Sequence, residues 1–137
     1  MNLIRPCYLI ILLIASLASR VAAEDKPLRI KADEARQHVG KQVEVVFKVK
    51  STKNSVKRKT VFLDSEENFQ DEKNLGIAIS EVGVSDLKQK RGVEAPAEYY
   101  KDKSIRVVGE VVIENEHAYI KVDDADHLDL FEEKAEK

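Results

Sequence analysis

Pro96 to Ile113 reads PAEYYKDKSIRVVGEVVI: a short helix, a tight basic turn, and a long strand interrupted by one glycine. A strand carrying Gly109 between Val108 and Glu110 can bend sharply there, because no side chain obstructs the corner. The same grammar occurs at His38 to Val49, where a helix end and a Gly40-Lys41 turn precede QVEVVFKV. Two long strands launched from helix ends, with shorter strands between them, imply a small closed barrel.

Residues 1–23 read as a secretory signal and not as part of a fold. Arg5 supplies the one early positive charge, and Tyr8 to Ala18 is an apolar run well short of a roughly 20-residue membrane span. Val21-Ala22-Ala23 offers small residues for cleavage after Ala23. The alternative is an uncleaved N-terminal anchor, which Arg20 beside the cleavage position keeps open. The single cysteine, Cys7, lies before the apolar run, on the wrong side for lipid attachment. Once the leader is removed, no thiol is left for disulfides, thiolate catalysis or zinc-cysteine sites. The remainder, expected in the periplasm or secreted, is one domain with a single core and no membrane segment. The whole chain has a formal net charge of −2, and losing Arg5 and Arg20 makes it more acidic. Any polyanion site must therefore be local.

Residues 24–31 are polar and expected to be loose. Ile30 to Val39 reads as a short helix with Asp33 as N-cap and Gly40 in the left-handed position past its end. The first strand, Gln42 to Ser51, alternates Val43, Val45, Phe47 and Val49 with more polar residues, so one face is buried. Thr52 to Lys59 has the composition of a turn. The second strand, Thr60 to Asp64, places Val61 and Leu63 inside and Phe62 outside. Glu66 to Asn74 is an acidic loop, and the third strand, Leu75 to Ser80, turns Leu75, Ile77 and Ile79 inward. Helical signals follow around Val84 to Lys90 and again from Pro96. The fourth strand, Ser104 to Glu114, buries Ile105, Val107, Val111 and Ile113. The fifth, Ala118 to Asp123, buries Ile120 and Val122. Leu128, Leu130 and Phe131 are candidates to close the barrel before a disordered acidic tail at 132–137.

Helix, three strands, helix and two strands is the pattern of a five-stranded Greek-key barrel of the OB type, an all-β fold with short helices. VGKQVEVVFKV, KTVFLDS, NLGIAIS, EYYKDKSIRVVGEVVI and YIKVDD together resemble OB-fold domains of the nucleic-acid-binding, tRNA-anticodon-binding and helicase type. In particular they are similar to short exported bacterial proteins made of a signal peptide and one OB domain. The resemblance spans Ala32 to Leu130. It implies the OB-fold over 32–131, with a helix between strands three and four and a short helix before strand one. His38-Val39-Gly40-Lys41 and Glu98-Tyr99-Tyr100-Lys101 carry it, and they mark architecture, not chemistry.

Lys48 to Lys59 is the main candidate for function. It holds Lys48, Lys50, Lys53, Lys57, Arg58 and Lys59 with no acid. In an OB barrel this is where oligonucleotides or oligosaccharides are commonly touched, and phosphate backbones need several cations in a row. Phe62, outward on the second strand, is a candidate stacking platform. The competing reading is a solvated lysine-rich hairpin protecting a strand edge, with Phe62 packed under a loop.

A second basic group, Lys88, Lys90, Arg91, Lys101, Lys103 and Arg106, reads as solvated turn residues, with Lys101 and Lys103 expected at the barrel end opposite the first loop. Tyr99 and Tyr100 are expected to pack in the core, and Tyr119 to make a cross-strand contact. Asp123, Asp124, Asp126 and His127 have metal-ligand chemistry, but no EF-hand spacing and no zinc set. The sequence contains no GxSxG, phosphate-cradling glycine loop or HExxH. The expectation is thus a non-catalytic, monomeric binding module without cofactor or metal, taking single-stranded nucleic acid or an anionic polysaccharide. The alternative is an envelope interaction or structural domain that docks on another exported protein.

Overall fold

The computed structural model describes residues 26–132; the expected signal segment and most of the acidic tail lie outside them. The fold is mostly β. Eight strands run in order: β1 (Leu28–Ile30), β2 (Gln42–Lys48), β3 (Ser51–Ser55), β4 (Thr60–Asp64), β5 (Leu75–Ile79), β6 (Ser104–Glu114), β7 (His117–Val122) and β8 (Leu128–Leu130). Two α-helices, α1 (Glu81–Arg91) and α2 (Pro96–Tyr100), lie between β5 and β6. Short 3-10 helices cover Ala32–His38 and Ala125–His127.

The strands neighbour one another in the order β1-β2-β6-β7-β5-β4-β3, with β8 added beside β6. All pairings are antiparallel except β1 with β2 and β5 with β7. Only Val49 and Lys50 separate β2 from β3. Val49 is fully buried, and its backbone N–H donates to the Lys103 carbonyl at 2.9 Å while its carbonyl accepts from Asp102 N–H at 2.9 Å. The next N–H, of Lys50, donates to Asp64 O at 3.0 Å. Across these two residues the chain exchanges β6 for β4 as its partner.

Period-two alternation produces the interior as expected. Val43 and Val45 of β2, Val61 and Leu63 of β4, Leu75, Ile77 and Ile79 of β5, Ile105, Val107 and Val111 of β6, and Ile120 and Val122 of β7 form one cluster. Leu87 of α1 and Tyr100 of α2 join it. Burial pushes the Tyr100 hydroxyl up to about 12. Ser80 caps α1 by accepting from Gly83 N–H at 3.1 Å. Gly40, at φ 81°, turns the chain out of the first 3-10 helix into β2, a conformation that side chains disfavour.

Several expectations need correction. Among the described residues eight strand segments stand where five strands were expected. Thr52–Ser55, read as part of a turn, belongs to β3, whose polar residues are held by pairing along β4 and not by an apolar face. Within the segment expected to be loose, Leu28–Ile30 pairs in parallel with β2 and buries Ile30. The helix before β2 is 3-10, capped from Lys31 and not Asp33. Ile113, expected inside, is exposed at the end of β6. The turn holding Lys101 and Lys103 abuts Val49, so it lies beside the start of the basic run and not across from it.

Gly109 does mark a corner. β6 pairs with β2 through Glu110 and with β7 from Val111 onward. A Cβ at Gly109 would sit 2.6 Å from Cγ2 of Ile120, a stiff branched side chain in the core. Gly109→Ala is therefore expected to lower stability by about 1–3 kcal/mol, read as a reduced urea midpoint with an unchanged slope.

Candidate ligand-binding face

Side chains of β3, β4, β5 and β7 that point away from the core line up across the sheet. Strand register sets Lys53, Phe62, Ala78 and Lys121 in one row, and Ser51, Asp64, Gly76 and Tyr119 in the next. A groove of about 290 Å³ lies over these rows, lined by Lys53, Arg58, Phe62, Asp64, Glu67, Phe69 and Tyr119 among others. A second hollow of about 310 Å³ shares Arg58, Phe62 and Tyr119 and extends toward Lys121 and Glu114.

Four rings form a continuous ladder along this face. Phe69 lies 5.6 Å from His117, His117 6.2 Å from Tyr119, and Tyr119 5.8 Å from Phe62, centroid to centroid. The Arg58 guanidinium closes the series, 5.2 Å from the Phe62 centroid. Gly76 makes room for it: a Cβ there would meet two Tyr119 ring carbons at 2.8 Å. Phe62 and Tyr119 are only 8% and 9% exposed, whereas Phe69 is 47% exposed. Phe62 is on the outer face as expected, but its ring is covered. Phe69 is the open ring.

Phe69 stands on the acidic loop, and buried Asn74 holds that loop in shape. The Asn74 side-chain oxygen accepts from Glu66 N–H at 3.0 Å. Its amide nitrogen donates to Asp64 Oδ1 at 3.0 Å and to the Phe69 carbonyl at 3.4 Å. The Ser65 hydroxyl accepts from Leu75 N–H at 2.9 Å, tying the loop base to β5.

The basic run splits. Arg58 and Lys53 border the groove. Lys50 pairs with Glu66 at 3.2 Å and Lys59 with Glu81 at 4.0 Å. Lys48 and Lys57 are exposed outside the groove, and among the described residues neither forms an ion pair. The second basic group is largely committed to structure. Arg106 joins Glu44 and Asp129, Arg91 joins Asp129, and Lys90 joins Asp86, Asp124 and Asp126; Arg29, outside that group, also joins Glu44. Lys90 thus occupies the acids of the loop weighed above for metal. Among the described residues no three His, Cys, Asp or Glu side chains are placed to hold a metal ion. Lys103 rests over Tyr99, 3.8 Å from the ring centroid.

Asp64 is 5% exposed, and burial holds its carboxyl above the ordinary 3.8, against the opposing pull of Asn74, His117 and Lys53. Sequence reading missed three residues of this face: Phe69, His117 and Asp64. Alternation alone put Asp64 on the same side of the second strand as Phe62, which was the available signal.

No protein-family model matches the chain, and no curated protein matches it. Solved structures do. A protein described as an aspartyl-tRNA synthetase from Leishmania major Friedlin is 12% identical at a TM-score of 0.44, over 77% of this chain and 21% of that one. Asparaginyl-tRNA synthetase from Pyrococcus horikoshii is 17% identical at a TM-score of 0.48, over 74% of this chain and 22% of that one. Its complex with asparaginyl-adenylate is 18% identical at a TM-score of 0.43, over 69% and 20%. The chain spans about a fifth of the length of these proteins.

Two outcomes are expected. Asn74→Ala leaves Asp64 and the Glu66 N–H short of partners and costs about 1–3 kcal/mol in chemical denaturation. Because the folded form of Asp64 holds its proton more tightly than the unfolded form, stability from this group is present at low pH. It is lost as pH rises from 3.8 through the raised folded value. Asp64→Asn removes that loss, so its advantage over wild type in thermal unfolding should be small below pH 4 and grow toward neutrality.

Proposed function

We propose that this domain is an exported, non-catalytic OB-type binding module. It would hold a short stretch of an extended, ring-containing polymer, of oligonucleotide or oligosaccharide class, on the outer face of β3, β4, β5 and β7. The topology supports the OB reading. If β2 and β3 are counted as one strand bent at Val49-Lys50, the path from β2 round to β3 begins and ends on the same strand. Five strands then make up that path: a three-strand meander, a helical crossover to β6, and β7 returning between β6 and β5. That is the connectivity of the five-stranded Greek-key barrel. The Tyr8–Ala18 leader supports export, with cleavage after Ala23.

One observation carries the binding role: the ring ladder from Phe69 to Phe62, ending under Arg58 and flanked by Lys53. An open ring such as Phe69, backed by further rings, provides a sequence-tolerant platform for the flat faces of bases or sugars. A guanidinium stacked on an aromatic ring keeps its in-plane N–H donors free for an anionic group.

The test is a titration of the folded protein with single-stranded oligonucleotides and anionic oligosaccharides at low salt. Phe69→Ala is expected to weaken binding roughly tenfold, within the range for loss of one stacked ring. The double charge reversal Lys53→Glu, Arg58→Glu is expected to weaken it further and flatten its salt dependence. Affinity indifferent to both changes would remove this face from consideration.

A further inference from the structure

The proposed groove has two chemically different sides, and their arrangement narrows the ligand. Lys53 and Arg58 stand on the β3 side, with Lys57 beside Arg58 at the hairpin tip. The rings run along the middle. Asp64 and Glu67 also line the groove, so it presents carboxylate acceptors beside its cations. A uniformly anionic chain would meet those carboxylates unfavourably. A polymer with anions along one edge and neutral, amine-bearing rings along the other would not. Single-stranded nucleic acid has that polarity.

Asp64 adds a direction to the contact. Its Oδ1 is committed to the Asn74 amide at 3.0 Å, and among the described residues no protein donor meets Oδ2. A carboxylate oxygen accepts and cannot donate, so its complement is an N–H on a base edge. Cytosine carries such a donor at N4, where uracil carries an acceptor oxygen at O4. Stacking on Phe69 does not distinguish these two pyrimidines, because each presents a similar flat face.

We infer that the groove is a base-reading site for single-stranded nucleic acid, in which Asp64 accepts an exocyclic amino group of a base lying against Phe69 while Lys53 and Arg58 take the backbone. This inference rests on the binding reading above and adds to it the polymer class and the residue that discriminates.

Fluorescence anisotropy with oligo(dC) and oligo(dU) of about 12 nucleotides at low salt tests it on the unaltered protein. Oligo(dC) is expected to bind about tenfold more tightly than oligo(dU). In Asp64→Asn, the Asn74 amide still requires an acceptor at the Oδ1 position, which places the new NH₂ at the other. The groove then offers a donor, and the preference is expected to reverse toward oligo(dU). Equal affinities for the two oligonucleotides in the wild type overturn the role of Asp64 while leaving a ring-binding face in place. So does an Asp64→Asn protein, shown folded by circular dichroism, that keeps the oligo(dC) preference. A heparin-derived oligosaccharide bound in place of either oligonucleotide overturns the polymer class. No binding of any of the three overturns the binding reading itself.

Discussion

The Val49-Lys50 corner is the constraint on which the rest of this structure depends. Over two residues the chain changes partner, with Val49 bonded to Asp102 and Lys103 and Lys50 N–H bonded to Asp64 O. A buried valine whose N–H and carbonyl are both taken by one tight turn leaves the backbone little freedom to continue straight. The bend lets β2 lie along β6 and β3 lie along β4. It also sets the register of β3 on β4, which places Lys53 opposite Phe62 and Ser51 opposite Asp64. Sheet path and groove thus originate in the same few hydrogen bonds.

Charge is divided between two faces in a way composition conceals. On the β1-β2-β6 side, Arg29 and Arg106 both reach Glu44, while Arg106 and Arg91 both reach Asp129. The two arginines draw the Glu44 carboxyl below its ordinary value despite partial burial. Cations engaged in such a chain offer little to a soluble polyanion, since binding one would break contacts already made. On the groove side, Arg58 stacks and Lys53 extends without an ion pair among the described residues. A net acidic domain can therefore keep a local positive edge, and the edge is small enough that shape and stacking must supply much of any affinity.

Much of the interior was legible because it obeys a local rule. Val43/Val45, Val61/Leu63, Leu75/Ile77/Ile79 and Ile120/Val122 are each spaced by two and all are buried. Gly109 was legible as a corner because a glycine within a long apolar strand gives up side-chain packing, a loss that a sharp bend or a close neighbour offsets. β3 was not: STKNS has no apolar face, and it becomes a strand only because β4 offers it a free edge. The fate of Arg106 was equally hidden. Its partner Glu44 lies diagonally across the β2–β6 register, a relation visible only once Val46 is known to oppose Arg106.

Phe69 shows why part of the candidate face resists sequence reading. A single ring in a run of Glu, Asn, Gln, Asp and Lys has no periodicity, and by composition the loop is only a solvated turn. What holds the backbone at Phe69 is Asn74, five residues on, whose amide joins the Phe69 carbonyl to the carboxylate of Asp64 on β4. One side chain thereby ties the backbone that carries the open ring to the buried carboxylate. It also accounts for a carboxyl retained where burial disfavours its charge. An amide or apolar residue at Asp64 would relieve that cost.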